Sequence, residues 1–83
     1  MKFAVLGAGL MGKQAARDLL RNEQVEKVIL ADRTTEKAQA LRLQLDDPRL
    51  EIAQMDASRD SELKQVITQA DVVINALFYT FNQ

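Results

Sequence analysis

The chain has 83 residues, 11 basic and 12 acidic, with no cysteine and no histidine, which bounds it at one small domain. The two missing residue types exclude a disulfide frame, thiolate chemistry, a zinc site and a histidine-based triad within these residues. Charges of both signs are interspersed to a net −1, so no basic stripe for nucleic acid exists, and 47% apolar residues argue for a packed globule. A chain of this length buries roughly 60–65% of its unfolded surface, so an isolated core is marginal.

Lys2–Leu6 reads as a buried strand, because Phe3-Ala4-Val5-Leu6 is a continuous apolar run of the kind parallel sheets require. Lys2 and the run to Met11 also have the outline of a short secretory signal, but Gly7 and Gly9 break it and the fold needs it as a strand. No stretch approaches the ~20 apolar residues of a membrane span, so a cytoplasmic protein without a membrane partner is expected.

The strand runs straight into Gly7-Ala8-Gly9-Leu10-Met11-Gly12, a G-x-G-x-x-G turn opening a helix. Gly7 lets the chain turn sharply. Gly9 leaves the helix N-terminal amides open to a pyrophosphate, and Gly12 lets the first helical turn lie close to the strand. The helix is predicted over residues 10–22, with Met11, Ala15, Ala16, Leu19 and Leu20 inward and Lys13, Gln14, Arg17, Asp18 and Arg21 toward water.

A second buried strand, Lys27–Asp32, ends on a carboxylate twenty positions past Gly12, where a ribose-binding acid is expected. Thr34 or Thr35 is a natural N-cap for the next helix, whose inward face is Ala38, Leu41 and Leu45. Asp46-Asp47-Pro48 stops it. Residues 50–55 form a weaker strand that suits a sheet edge. Ser58 is a candidate cap for a third helix with the stripe Leu63, Val66, Ile67 and Ala70, and residues 72–76 are a fourth buried strand. The tail from Leu77 holds three of the four aromatics and no clear pattern.

The order βαβαβαβ with right-handed crossovers gives an α/β, Rossmann-like half domain with parallel sheet order 3-2-1-4. Its reversal between strands one and four makes a crevice at the strand C-termini. The glycine turn, Asp32, Asp56 and Asn75 all fall there.

The segments "AVLGAGLMGKQAARDLL", "LADRTTEKAQAL", "MDASRD" and above all "DVVINALFYTFN" resemble the start of the saccharopine dehydrogenase family, nearest its members that oxidise the ε-amine of lysine with NAD. The resemblance covers essentially the whole chain. It implies an NAD(P)-binding Rossmann half over residues 1–83, with later strands and a substrate domain absent, and therefore no turnover by this chain alone. By the same resemblance Gly7, Gly9, Leu10, Met11 and Gly12 match the pyrophosphate loop and Asp32 the adenosine-ribose acid. Arg33 matches the residue flanking the adenine, and Asp56 and Ala57 the turn at the adenine edge. Asn75, Ala76 and Leu77 match the turn beneath the nicotinamide ribose. No catalytic residue and no metal ligand carries over.

Asp32 favours NAD, since a carboxylate repels a 2′-phosphate, while Arg33 beside it would suit NADP. Each residue also has a plainer reading: a turn glycine, a strand-end cap at Asp32, a turn former at Asp56, a structurally bonded Asn75, a solvated Lys13. Phe78, Tyr79 and Phe81 either line a nicotinamide pocket or pack on another domain or subunit. A rival function is a regulatory nucleotide-sensing module like those gating potassium channels, which "MDASRD" and "ADVVINA" fit and "NALFYTFN" does not. A chain ending here would leave strand four an open edge, predicting homo-oligomers through that edge and the tail aromatics.

Overall fold

The computed structural model describes residues 1–56 and 58–76. It contains β1 (Lys2–Leu6), α1 (Leu10–Leu20), β2 (Lys27–Asp32), α2 (Glu36–Leu45), β3 (Leu50–Gln54), α3 (Asp60–Thr68) and β4 (Val72–Asn75). The four strands form one parallel sheet in the order β3-β2-β1-β4, as expected. The two predicted inner strands have their expected bounds. No helix among the described residues is long and apolar enough to cross a membrane.

Alternation along the strands sends side chains to two separate cores. Val5, Val28, Leu30 and Leu50 join Ala16 and Leu20 of α1 and Ala38 and Leu41 of α2 on one face. Ala4, Leu6, Ile29 and Ala31 join Val66 of α3 and Met55 on the other. Small residues at 15, 16 and 38 let the helices lie close to the sheet. Among the described residues no polar or charged side chain is fully buried.

Four expectations need correction. α1 ends at Leu20, and Met11 is 48% exposed, because the inward stripe is Gly12, Ala16 and Leu20 at four-residue spacing and the first turn lies beyond the strand ends. Thr35 is the N-cap of α2 as expected, though without a side-chain cap bond, whereas Ile67 of the predicted inward stripe of α3 is 38% exposed. Arg59, not Ser58, is the N-cap of α3. The Ser58 hydroxyl instead donates to Asp56 Oδ1 at 2.6 Å, and Asp60 and Glu62 supply negative charge in the helix's first turn. β4 ends at Asn75 and alternates between half-buried and exposed residues, with Val73 37% exposed. It is half-covered rather than buried on both faces. β3 is an edge strand as predicted; Glu51 stands exposed on it and pairs with Lys27 at 2.7 Å.

One device was not anticipated. Asp46 ends α2 in the left-handed region (φ 49°), and the chain then brings Arg49 under the C-terminus of α1. The Arg49 guanidinium donates to the carbonyl of Leu20 and, at 2.9 Å each, to those of Asn22 and Val25. Asp47 holds it in a fork, accepting from Nε at 3.1 Å and Nη2 at 2.8 Å. The bond to Leu20 satisfies a carbonyl that the helix end leaves without a partner, and the other two tie down the loop that follows α1. The Arg49 side chain and backbone amide hold the Asp47 carboxyl below its ordinary pKa.

A carboxylate whose pKa is lowered on folding stabilises above its unfolded value and loses that contribution as pH falls through the folded value. Asp47→Asn is therefore expected to lower the urea midpoint at pH 7. The gap to wild type should close as pH drops below about 4, and urea titrations at pH 7, 4 and 3 measure it.

Candidate dinucleotide site

The site begins at the last backbone bond between β1 and β2, where Gly7 N–H donates to the Ala31 carbonyl at 2.7 Å. Gly7 then takes φ 103°, a conformation L side chains rarely adopt, and the chain turns out of the sheet. Gly9 is the N-cap of α1 and has no side chain to cap with. The first intrahelical bond joins Lys13 N–H to Gly9 O at 3.0 Å, so Leu10, Met11 and Gly12 lie in the turn whose amides lack intrahelical acceptors. No acidic residue stands in that first turn. Leu10 is 74% exposed.

Gly12 fixes how near the helix can come. A Cβ on it would sit 1.7 Å from the Gly7 carbonyl oxygen and 3.6 Å from the Ala76 Cβ. Glycine is thus the residue that lets α1, the turn and the residue after β4 meet.

Asp32 closes β2 beside the turn. Its Oδ2 accepts the Ala8 N–H at 2.5 Å and its Oδ1 the Thr34 N–H at 3.3 Å. Its backbone carbonyl accepts Met55 N–H at 2.8 Å, linking β2 to the end of β3. Beyond β2 and β3 lies a polar cleft of about 370 Å3 lined by Arg33, Gln54, Asp56, Arg59 and Glu62. Gln54 Nε2 donates to the Arg33 carbonyl across it at 3.3 Å.

Asp56 is committed to its own turn, accepting from the amide of Ser58 at 3.0 Å and from its hydroxyl. Those bonds, reinforced by Arg33 and Arg59, hold its carboxyl below the ordinary value. Glu62 faces Arg59 at 3.5 Å. The cleft's two arginines are thereby matched by two carboxylates.

Asn75 ends β4 in register with Leu6, and Ala76 N–H donates to the Leu6 carbonyl at 2.9 Å. The structure therefore brings Gly7, Gly9, Leu10, Met11, Gly12, Asp32, Asn75 and Ala76 to one end of the sheet, with Arg33 and Asp56 at the adjoining cleft. Ala57, Leu77 and the aromatics of the tail lie outside the described residues. The sequence reading missed Gln54, Arg59 and Glu62 of the cleft; the spacing of Arg59 and Glu62 at i, i+3 was the available signal. No group of three or more metal-ligating side chains occurs among the described residues.

A parallel 3-2-1-4 sheet, a three-glycine turn opening α1 and a carboxylate ending β2 define a Rossmann-like dinucleotide-binding domain. Residues 3–83 match the family model of the saccharopine dehydrogenase NADP binding domain, and the chain belongs to that family. A glutamyl-tRNA reductase of Actinobacillus succinogenes is 40% identical over 76 residues, covering 92% of this chain and 16% of the reductase. Apo histidine-tagged saccharopine dehydrogenase (L-Glu forming) from Saccharomyces cerevisiae superposes with a TM-score of 0.75 at 31% identity. That match covers 96% of this chain and 17% of the yeast one, so the chain spans about a sixth of the length of these relatives.

Gly12→Ala should cost stability at or above the upper end of the ~1–3 kcal/mol typical of overpacking, because the obstructing atom is backbone. Urea denaturation reads this loss.

Proposed function

We propose that this chain supplies the NAD-binding half of a cytoplasmic amino-acid oxidoreductase of the L-lysine 6-dehydrogenase type. The observation that carries the reading is the Gly12–Gly7 contact, which leaves the amide-rich start of α1 facing the crevice with Asp32 alongside. The cradle fits a dinucleotide. The Leu10, Met11 and Gly12 amides would hold the pyrophosphate, Asp32 the adenosine ribose, and the Arg33–Asp56 cleft the adenine. Asn75 and Ala76 would lie under the nicotinamide ribose. When bound, the cofactor supplies hydride transfer, and the chain supplies its orientation.

NAD is favoured over NADP by charge. Asp32 stands where a 2′-phosphate would arrive, and the cleft arginines are balanced by Asp56 and Glu62. Lysine as substrate rests on the resemblance of "DVVINALFYTFN" alone. The balanced charge of this segment speaks against its carrying contacts to a tRNA such as the one glutamyl-tRNA reductase is named for. Self-association through β4 is supported by the 37% exposure of Val73 on that strand.

An amide NMR titration of the chain tests the reading. NAD is expected to shift Gly9, Leu10, Met11 and Asp32, with NADP binding weaker by roughly tenfold or more. Equal binding of both overturns the NAD preference, and indifference to both reduces the glycine turn to a structural one. Reduction of NAD with lysine by the 83-residue chain above a no-protein control would contradict the expectation that a substrate domain is required.

A further inference from the structure

We propose that Asp32 has a task beyond the ribose: it holds the glycine turn in shape before any dinucleotide arrives. The backbone ladder between β1 and β2 ends with Gly7 N–H on the Ala31 carbonyl. One residue later the Asp32 carbonyl faces the other way, toward β3, where it accepts Met55 N–H, so β2 presents no backbone acceptor to the turn at that residue. The Asp32 side chain supplies one. Its Oδ2 accepts the Ala8 amide at 2.5 Å, while Oδ1 accepts Thr34 N–H.

Ala8 is 0% exposed, so its amide needs an acceptor inside the protein. It also lies between Gly7 and Gly9, the two residues with the widest backbone freedom in the turn. A charge-assisted bond at the residue between them limits that freedom where the local sequence does not. A carboxylate offers about four lone-pair sites, and the two bonds leave room for ribose hydroxyls. The strap and the ligand therefore act together, and Asp32 is a positioning residue for the phosphate-facing amides as well as a ribose contact. The binding arm of this inference rests on the dinucleotide reading; the structural arm does not.

Two measurements on the 83-residue chain decide it. In the ligand-free protein, amide hydrogen exchange at Ala8 is expected to rise about tenfold or more in Asp32→Ala. Val5 and Leu30, in the sheet, should stay as in wild type. Unchanged exchange at Ala8 overturns the proposal. If Val5 and Leu30 also accelerate, Asp32→Asn decides instead, since it keeps one carbonyl oxygen and the side-chain shape but loses the charge. Ala8 must then exchange faster than wild type, and a wild-type rate overturns the strap.

The second measurement uses an NAD analogue lacking the adenosine 2′- and 3′-hydroxyls. Asp32→Ala is expected to weaken it by about tenfold relative to wild type, an effect that a ribose-only role would not produce. An unchanged affinity overturns the positioning role. If neither NAD nor the analogue binds wild type, the dinucleotide reading fails, and the exchange result still decides the strap.

Discussion

The contact between the α-carbon of Gly12 and the carbonyl of Gly7 is the constraint on which the rest depends. A single methyl group there would collide with backbone that has no rotamer to move out of the way. The position it would occupy also lies against Ala76. One absent side chain thus sets three distances at once: helix to turn, helix to sheet, and helix to the residue following the fourth strand. The crevice is a by-product of that approach.

The two ends of the sheet are built on different terms. At the end where the strands begin, backbone groups are tied off. Arg49 and Asp47 close the carbonyls around the end of α1, and Asp71 accepts the Lys2 amide through its carboxylate at 2.8 Å. At the end where they finish, carboxylates brace loops, as Asp32 and Asp56 do, and among the described residues the first-turn amides of α1 have no intrahelical acceptor. Rigidity at one end lets the other expose backbone polar groups without loosening the core.

The order of elements, the sheet topology and the ends of the two inner strands were legible because each rests on a pattern shorter than the distance to the next turn signal. Continuous apolar runs named β1 and β2, and Asp46-Asp47-Pro48 marked the end of α2, which the left-handed Asp46 terminates. The glycines and Asp32 were legible for a different reason: their spacing encodes a turn chemistry that few other residues satisfy. Met11 was misplaced because helical periodicity says which face a residue shares but not whether the sheet extends beneath it. Ser58 was misplaced because its hydroxyl turns back to donate to Asp56, and the helix starts one residue later with Arg59 as its cap. The Arg49 clamp was invisible, since its acceptors are carbonyls 24 to 29 positions away, and a backbone carbonyl leaves no trace in a sequence.

The sheet's two margins differ in character. The β3 margin carries Glu51 and Gln54, both exposed, with Glu51 drawn into an ion pair; the β4 margin carries Val73 and ends on Asn75. A foreign strand approaching β3 would have to strip water from a carboxylate, and one approaching β4 would cover a hydrocarbon side chain. Among the described residues the two margins thus differ in charge, the third strand's carrying an ionised side chain and the fourth's a hydrocarbon one.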